Sequence, residues 1–303
     1  MSKPKAIAVV GPTSSGKTSL AITLAKQFNG EVISADCRQI YKGLDLGTGK
    51  VTAEEMDGVT HHLIDIADPN KRYSASEFEL DATAAIMDIR SRHKLPIVAG
   101  GTFFYLDMLR GRHGVAHVPP NEAFRIDMSD FSTPELFSKL QASDPDRAST
   151  IDRHNRPRLI RALEIIESLG KVPPPQKTDS PFEWLVIGIS ISQLRLHDNI
   201  HKRLHQRLDA GMVEEVEKLH AEGLSYERMH DLGIEYRFIS SYLKGEIRYK
   251  EMVEKIGIKS RQFAKRQMTW LKKDKEIEWF DADNKPGICH RVSEFLEQSS
   301  ELT

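Results

Sequence analysis

One octapeptide constrains the fold of this chain more than any other feature of its sequence. Residues 11–18 are Gly-Pro-Thr-Ser-Ser-Gly-Lys-Thr, a full match to the pattern G-x-x-x-x-G-K-[ST]. The short apolar run from Lys5 to Val10 predicts a buried strand before it, and the spacing of Leu20, Leu24 and Phe28 predicts a helix after it. A strand, a glycine-bearing loop and a helix in this order form a cradle for a di- or triphosphate. We therefore predict a phosphate-binding loop inside an α/β fold.

Each part of the octapeptide has a chemical role in this interpretation. Glycines let the backbone curl so that successive N–H groups face one anion, and the positive end of the helix adds to them. Lys17 would bring a full positive charge to the phosphates, and the hydroxyl of Thr18 would hold Mg²⁺. The alternative is a glycine-bearing turn with a solvated Lys17. The residues predicted to bind the phosphates are Gly11, Pro12, Thr13, Ser14, Ser15, Gly16, Lys17 and Thr18.

Segments typical of strands and of helices alternate through the first hundred residues, and a strand pattern returns near residue 182. Short apolar runs predict buried strands, and apolar residues at helical spacing predict helices between them. This alternation is typical of a parallel sheet with crossover helices on its faces. Further strands are predicted at Glu31 to Ala35, His62 to Ile66, Leu95 to Ala99 and Phe182 to Ile191, and helices at Ser76 to His93 and Phe103 to Leu109.

The character of the sequence changes near Gly111. The pattern that follows predicts helices and no strand, and the proline-rich residues 172–175 predict a stiff connection. Residues 195–270 are again predicted to be mostly helical. We therefore expect an α/β fold with a P-loop-type parallel sheet core flanked by helices, made from residues 1–112 and 182–303. Residues 113–181 are expected to form a helical insertion domain.

Composition and charge exclude several classes of protein. The 43 lysines and arginines nearly balance 44 acidic residues, so the chain is not a wholly basic nucleic-acid coat, although this balance does not bear on a local basic groove. Hydrophobic residues at 39% and charged residues at 29% are typical of a globular protein. Two cysteines cannot make a disulfide framework, and no apolar run approaches the roughly 20 residues of a membrane span. We expect a cytoplasmic protein without membrane contact.

Asp36 directly follows the second predicted strand. Ligands of open α/β sheets bind at the carboxyl ends of the strands, so Asp36 is expected to face the same crevice as Lys17. A carboxylate in that place could bind a metal or accept a proton from an incoming nucleophile. The structural alternative is that Asp36 caps the following helix. Asp65, in the third predicted strand, could be the metal-binding acid that a kinase or nucleotide hydrolase needs.

Several segments occur together in an order that is far more specific than a phosphate loop alone. From Ala6 to about Lys273 the sequence closely resembles the bacterial tRNA dimethylallyltransferases, the tRNA isopentenyltransferase family. The segments that carry this resemblance are GPTSSGKT (11–18), ISADCRQIYKGLDLGTGK (33–50), HHLIDI (61–66), YSASEFELDA (73–82), PIVAGGTFFYLDML (96–109), RLIRALEI (158–165) and RQFAKRQMTWLKK (261–273).

The resemblance implies a reaction and roles for four residues. A dimethylallyl group would pass from dimethylallyl diphosphate to N6 of the adenosine on the 3′ side of the anticodon in tRNA, with Mg²⁺ as cofactor. The phosphate loop with Lys17 would then hold a diphosphate leaving group instead of ATP, assisted by Arg203. Asp36 matches the general base, and Thr102 matches a threonine that contacts the target base. The structural alternatives are a solvated helix residue for Arg203 and a helix cap for Thr102.

The same resemblance implies contacts with the anticodon stem-loop, whose target adenine must be turned out of the base stack. Cys37 stands where the family usually has serine, a departure that bears on contacts near the target base. Glu235 stands where many members have a Gly-Tyr pair, a departure that bears on the turn after Gly233. The positions that match tRNA-contacting residues are Asp36, Cys37, Arg38, Gln39, Thr102, Arg125, Arg158 and Arg161.

A basic segment near the C-terminal end points to RNA without reference to any family. Residues 258–273 contain six lysines and arginines and no acid, on a helical pattern. Phe263 and Trp270 lie seven residues apart and are predicted to share its buried side. The alternative is an ordinary solvated face, but such faces normally mix both signs of charge. We therefore predict phosphate contacts from this helix, with Arg261, Lys265 and Arg266 among them.

Three other functions explain part of the sequence. A P-loop kinase of small molecules would use the octapeptide and Asp36, but it leaves the basic segment and the insertion without a role. A nucleotide-gated RNA-binding protein without chemistry would not need Asp36. Prenylation of free adenine nucleotides would not need the basic segment. For the main hypothesis, the expected partners are tRNA and dimethylallyl diphosphate, and we expect a monomer.

Overall fold

Six parallel strands form one sheet in the computed structural model of the protein. The strand order is β3-β2-β4-β1-β5-β6, and every neighbouring pair is parallel. The α/β fold and the parallel sheet predicted from the sequence are confirmed. The strands are β1 (Lys5–Val10), β2 (Gly30–Ser34), β3 (His61–His62), β4 (Leu95–Ala99), β5 (Glu183–Ser190) and β6 (Ile277–Asp281).

The structure describes residues 3–114, 116, 118–174 and 177–298, and these divide into two units. The first unit contains the described residues up to Arg110 together with those from Asp179 onward, and the second spans Gly111–Thr178. The end of the predicted proline-rich connection, Pro175, lies outside the described residues. No helix in the described ranges is both long enough and apolar enough to cross a bilayer.

The helices of the first unit cover both faces of the sheet and continue as a helical C-terminal half. In chain order, α5 to α8 belong to the second unit. The helices of the first unit are α1 (Lys17–Gln27), α2 (Ala53–Met56), α3 (Ala75–Ser91), α4 (Phe103–Leu109), α9 (Gln193–Asp209), α10 (Met212–Ala221), α11 (Tyr226–Leu232), α12 (Ile234–Leu243), α13 (Tyr249–Leu271) and α14 (Lys285–Glu297).

The central strands are buried on both sides because their residues alternate between two apolar clusters. Ala6, Ala8 and Val10 of β1 point into one cluster, which contains Phe78 and Ile86 of α3. The intervening residues of β1 point into a second cluster, formed with apolar residues of α1 and α14. A strand covered on both faces needs a continuous apolar run, which is why the sequence of β1 is so easily recognised.

One strand prediction was wrong, and one strand was missed. The third strand was expected at His62 to Ile66, but β3 is only His61–His62. Leu63 and Asp65 follow with positive φ angles of 61° and 57°, which leave the extended conformation of a strand. The strand β6 and the helix α14 were not predicted. Trp279 of β6 is 36% exposed at the edge of the sheet, so this strand lacks the continuous apolar run of the buried ones.

The second unit is helical, as the sequence predicted for this region. The four helices in its described residues share an apolar cluster of their own, built around Leu136, Leu140 and Leu159. A Ser132–Glu135 capping box starts the helix that contains Leu136 and Leu140. The helices are α5 (Glu122–Ser129), α6 (Thr133–Ser143), α7 (Pro145–Thr150) and α8 (Arg156–Leu169).

Glu31, near the start of β2, is a buried acid held by cations. Its carboxylate accepts hydrogen bonds from Arg92 (2.5 and 2.8 Å) and Lys94 (2.7 Å), and it lies 2.7 Å from Nε2 of His62. The hydrogen bonds from Arg92, above all, hold the pKa of Glu31 far below its usual range, against the opposing effect of burial. Because the folded pKa is the lower one, Glu31 stabilises the fold above the unfolded pKa of about 4.5, and this stabilisation is lost as the pH falls.

We expect Glu31→Gln to lower the free energy of unfolding by about 2 kcal/mol at neutral pH, because a neutral amide loses the charge-assisted hydrogen bonds that the buried carboxylate accepts from Arg92 and Lys94. The difference from the parent should shrink as the pH falls below about 4.5. Urea unfolding across this pH range measures it, with the exposed Glu217→Gln as control. A loss that is constant with pH would contradict the charge argument.

Candidate active site

A cavity of about 370 Å³ opens in the first unit where the sheet meets the phosphate loop. Its walls come from the segments that follow β1, β2 and β4, and from helices α9, α11, α12 and α13. This is the edge of a parallel sheet where ligands of α/β proteins bind. The predicted site residues that line it are Thr13, Ser14, Lys17, Thr18, Asp36, Cys37, Arg38, Gln39, Thr102, Arg203 and Arg266.

The phosphate loop has the backbone of an anion cradle. Gly16 precedes α1 with a φ of 92°, a left-handed conformation that favours glycine. The backbone N–H groups of Gly16, Lys17 and Thr18 donate to no acceptor in the described part of the chain. Gly11, Pro12, Ser15 and Gly16 do not line the cavity, so they shape the loop while the other four of its residues face inward. Free N–H groups at a helix N-terminus are suited to bind an anion.

Two cations face this cradle. Lys17 lies within hydrogen-bond distance of the carbonyl oxygen of Pro12 (2.7 Å), and Arg203 donates to the carbonyl oxygen of Gly49 (2.6 Å). Burial lowers the pKa of Lys17 to about 8, with Arg203 acting in the same direction and Asp36 against it. Burial, followed by repulsion from Arg207, also lowers the pKa of Arg203. A bound anion would stabilise both cations, because burial disfavours their charge. The alternative that Arg203 is a solvated helix residue was wrong.

The lowered pKa of Lys17 predicts a pH dependence of anion binding. Above about pH 8 the free protein loses the Lys17 proton, so affinity for inorganic pyrophosphate should fall, by up to tenfold per pH unit. Calorimetric titration from about pH 6.5 to about pH 9.5 measures this fall, and Lys17→Met should lack it. The free energy of unfolding should instead rise between about pH 8 and pH 10.5, because in that range Lys17 is protonated in the unfolded chain but not in the folded one. An affinity that is constant across this range would contradict the assignment.

Asp36 presents one oxygen to the backbone and the other to the cavity. Oδ1 accepts hydrogen bonds from the N–H groups of Arg38 (2.9 Å) and Gln39 (3.4 Å). The segment that follows is a turn, so the structural alternative, that Asp36 caps a helix, was wrong. Oδ2 accepts no hydrogen bond from a described residue, and a β-carbon built on Gly101 would lie 3.9 Å from it. The side chain is thus oriented by its own turn and keeps one oxygen for chemistry.

Thr102 is fixed beside Asp36 by the close approach of two loops. A β-carbon on Gly100 would lie only 2.1 Å from the carbonyl oxygen of Ala35, so only glycine allows this approach. The hydroxyl of Thr102 accepts a hydrogen bond from the N–H of Cys37 (3.0 Å) and makes no capping bond to α4. The alternative role of Thr102, a helix cap, was therefore wrong. Burial raises the pKa of the Cys37 thiol, so Cys37 is a neutral side chain in the wall of the cavity.

Asp65 does not lie at the cavity. Its left-handed backbone directs the carboxylate to Lys50, whose buried ammonium group also binds Asp45 (2.6 Å) and the carbonyl oxygen of Tyr41 (2.9 Å). The suggestion that Asp65 supplies a metal ligand was wrong. The residue belongs to an ion-pair network that stabilises the segment after β2.

One acid that sequence reasoning missed shapes the rim of the cavity. Gly47 and Thr48 border the cavity, and Glu215 of α10 accepts hydrogen bonds from three successive N–H groups that end at Gly47. These donors are Asp45 (3.1 Å), Leu46 (2.6 Å) and Gly47 (3.0 Å). In the sequence Glu215 cannot be told from its exposed neighbour Glu214, because only the packing of α10 brings it to this loop.

Glu235, which departs from the family pattern, forms an ion pair with Arg207. Glu235 accepts a hydrogen bond from Arg207 (2.8 Å), and both side chains are largely buried at the cavity wall. Arg207 also donates to the carbonyl oxygens of Leu46 (3.0 Å) and Gly47 (3.2 Å). Glu235 therefore balances an arginine that supports the same rim.

The basic helix α13 carries its cations outward. Among the described residues, Arg261, Lys265 and Arg266 form no ion pair with a carboxylate, and Arg266 reaches the cavity while the other two do not. Phe263 and Trp270 are 39% and 44% exposed, so the prediction that they share the buried side was wrong. The buried face of α13 instead carries Met252, Ile256, Ala264, Gln267 and Leu271. Phe263 lines the cavity beside Arg266.

The three arginines predicted for the insertion lie on α5 and α8 of the second unit. Arg125 and Arg161 both bind Glu164, the first with a 2.8 Å hydrogen bond from Nε. Arg161 also donates to the carbonyl oxygen of Val118 (2.7 Å). Arg158 is exposed. Two of the three thus have structural roles within this unit, and their contact with tRNA stays a prediction.

The donor set at the cavity fits a magnesium ion that binds together with a diphosphate. No cluster of three or more His, Cys, Asp or Glu side chains in the described ranges could hold a metal by itself. Mg²⁺ in phosphate sites usually takes only one or two protein ligands and fills its shell with phosphate oxygens and water. Thr18 is exposed in the same cavity as Lys17, and its hydroxyl suits this arrangement. The requirement for Mg²⁺ stays a prediction.

Comparison with known proteins identifies the family of this chain. Residues 39–274 match the family described as IPP transferase, and residues 4–71 match the family described as isopentenyl transferase. The tRNA dimethylallyltransferase of Halalkalibacterium halodurans is 38% identical over 289 residues, which cover 92% of this chain and 91% of that protein. The tRNA dimethylallyltransferase of Thermomicrobium roseum is 39% identical over 301 residues, covering 97% and 91%.

Solved structures give the same family. The full-length tRNA isopentenylpyrophosphate transferase of Bacillus halodurans has a TM-score of 0.75 with 36% identity, over 99% of each chain. A eukaryotic dimethylallyltransferase acting on tRNA has a TM-score of 0.77 with 25% identity, over 97% of this chain and 78% of that one. The anion cradle, the oriented carboxylate and these matches lead to one conclusion: the chain belongs to the tRNA dimethylallyltransferase family of enzymes.

Proposed function

We propose that the protein transfers the dimethylallyl group of dimethylallyl diphosphate to N6 of the adenosine on the 3′ side of the anticodon in tRNA, giving N6-isopentenyladenosine. One observation carries this proposal: the carboxylate of Asp36 and the anion cradle with Lys17 and Arg203 line a single cavity. We further propose that it acts as a monomer in the cytoplasm.

The cradle accounts for departure of the diphosphate. When the C–O bond of the substrate breaks, negative charge grows on the diphosphate oxygens. Lys17 and Arg203 line the cavity at the free N–H groups of the phosphate loop, so all of them can stabilise that charge in the transition state. Their interaction is stronger with the departing diphosphate than with the intact ester, which is what raises the rate.

Asp36 accounts for activation of the nucleophile. The adenine N6 is a weak nucleophile because its lone pair is delocalised into the ring. As the new C–N bond forms, one N6 proton passes to Oδ2 of Asp36, while Oδ1 stays bound to the backbone. Thr102 lies beside this carboxylate and can contact the base edge. The products are the N6-substituted adenosine, diphosphate and protonated Asp36.

Mg²⁺ would supply further charge neutralisation of the diphosphate, with the hydroxyl of Thr18 as its ligand from the protein. The protein residues then have separate tasks. Lys17 and Arg203 bind and orient the diphosphate, Asp36 accepts the proton, and the apolar side chains of the wall exclude water from the transferring group.

The helix α13 suits the RNA partner. Arg261 and Lys265 are free of carboxylate partners in the described part of the chain, so both can bind phosphates. Phe263 is exposed at the cavity, where an aromatic ring can stack on an extruded base. These contacts offset the few kcal/mol that unstacking the adenine costs.

The proposed function is tested with labelled dimethylallyl diphosphate, Mg²⁺ and unmodified tRNA. We expect label in the RNA, located at the adenosine beside the anticodon. Transfer of phosphate from ATP to a small acceptor would instead identify a kinase, and tight tRNA binding without product would identify an RNA-binding protein. Equal labelling of AMP and tRNA would show prenylation of free nucleotides.

We expect Arg261→Ala and Lys265→Ala to weaken binding of the anticodon stem-loop in a salt-dependent way. Each change should lower the slope of log affinity against log salt by about one, because one phosphate contact is lost. Fluorescence anisotropy over a salt series measures this slope. The control is Lys218→Ala on α10, whose lysine is exposed and paired with Glu222. Unchanged slopes in both variants would remove α13 from the RNA surface.

A further inference from the structure

Gln267 is a buried polar side chain on α13 that the proposed reaction does not use. Only 5% of it is exposed, and it lies on the buried face of the helix among apolar residues. A buried amide in such a place is retained only where its hydrogen bonds are made. Its two partners come from two different loops of the active site.

The side-chain oxygen of Gln267 accepts a hydrogen bond from the N–H of Thr13 in the phosphate loop (2.8 Å). Its side-chain nitrogen donates to the carbonyl oxygen of Gly101 (3.0 Å), in the loop that places Thr102 beside Asp36. A β-carbon on Gly101 would lie 2.8 Å from this nitrogen, so the contact is close-packed. One side chain thus connects the anion cradle and the loop that carries Thr102.

The two hydrogen bonds need an amide in one orientation. The N–H of Thr13 requires an acceptor, and the carbonyl oxygen of Gly101 requires a donor. A glutamate offers only acceptors and a methionine offers no donor, so neither satisfies both groups. The same helix carries Arg261 and Lys265 on its exposed side and Arg266 at the cavity. A ligand that restricts the motion of α13 therefore also restricts Gln267 and the two loops to which Gln267 is hydrogen-bonded.

We propose that Gln267 is a positioning residue that couples tRNA binding on α13 to diphosphate binding in the phosphate loop, an inference that rests on the proposed function. When bound RNA restricts the motion of α13, Gln267 restricts the motion of the phosphate loop. Pyrophosphate then binds to a loop that is already ordered, so its binding costs less conformational entropy. Coupling is reciprocal, so pyrophosphate strengthens RNA binding by the same factor. The expected factor is at least about fivefold.

The coupling is measured by calorimetry on the full chain with Mg²⁺, using inorganic pyrophosphate and an anticodon stem-loop RNA. The affinity for pyrophosphate is determined without RNA and with saturating RNA. No reaction occurs, because inorganic pyrophosphate carries no group to transfer. We expect Gln267→Met to bring the ratio of the two affinities close to one, with RNA affinity alone within about threefold of the parent. Turnover should fall about tenfold or more, with little change in KM for tRNA, because the loops are misplaced at the chemical step. Gln262→Met, an exposed glutamine of the same helix, is the matched control and should behave as the parent does.

Two results would overturn the inference: a ratio near one in the parent protein, or a parental ratio in Gln267→Met. A merely structural glutamine would lower the melting temperature and both affinities but leave the ratio unchanged, which is the second of these results. If Gln267→Met does not fold, Gln267→Glu serves in its place, because it keeps the acceptor for Thr13 and loses the donor to Gly101. Failure of the proposed function is separate, since the parent preparation would then give no labelled RNA whatever the ratio.

Discussion

Asp36→Asn is expected to lower turnover by at least about a hundredfold while tRNA affinity stays within about threefold of the parent. Asparagine keeps an oxygen for the N–H groups of Arg38 and Gln39, so the turn that orients the side chain survives. What it loses is the basic oxygen that faces the cavity. The loss therefore falls on proton transfer and not on folding or RNA binding.

Single-turnover rates with saturating tRNA and dimethylallyl diphosphate measure the effect of Asp36→Asn. The assay belongs well below pH 8, because Asp36 raises the pKa of Lys17 and its removal makes Lys17 easier to deprotonate. Asp209→Asn, an exposed carboxylate at the end of α9, is the control. Turnover near that of the parent would remove Asp36 from the mechanism, and a hundredfold loss of tRNA affinity would make it a binding residue instead.

Lys17→Met is expected to weaken pyrophosphate binding and to lower turnover by about 10² to 10³, the range found when one stabiliser of a developing anion is removed. Methionine has a similar length, so the variant removes the charge and little volume. Its free energy of unfolding should equal or exceed that of the parent, because burial lowers the pKa of Lys17 and so opposes its charge in the empty site. A gain or no change in stability, together with a large loss of function, distinguishes a binding charge from a structural one.

Pyrophosphate titration, turnover and urea unfolding of the same preparation test Lys17→Met. Lys26→Met is the matched control, since Lys26 lies on the same helix and pairs with the exposed Asp57. Parental affinity for pyrophosphate in Lys17→Met would show that the octapeptide is not the diphosphate site. A large loss of stability would show that Lys17 supports the loop itself.

The elements that could be predicted are those whose signal lies in neighbouring residues. The strands β1 and β4 were predicted with their observed bounds because both are continuous apolar runs that end at glycine. The phosphate loop was predicted because its geometry depends on eight consecutive residues. The short β3 and the missed β6 show the limit of this reasoning. Both lie at the edges of the sheet, where one side is solvated and the apolar signal is weak.

Side-chain roles were predicted less well than elements. Asp36 and Thr102 were given capping roles as alternatives, yet Asp36 orders a turn and Thr102 binds the N–H of Cys37. Phe263 and Trp270 were expected to be buried because they are aromatic and seven residues apart. The buried face of α13 is instead set by what it packs against, and Trp270 reaches Asp107 with a 3.1 Å hydrogen bond.

The sequence alone determined the α/β core, the anion cradle and the family, because each depends on residues that are close together in the chain or on the order in which short segments follow one another. Only the tertiary structure decided which distant side chains meet. Gln267 joins two loops that are 88 residues apart in the chain, at Thr13 and Gly101, and Glu215 orders a rim about 170 residues before it. Such contacts arise where the strands end and helices cross, and no local pattern of charge or hydrophobicity records them.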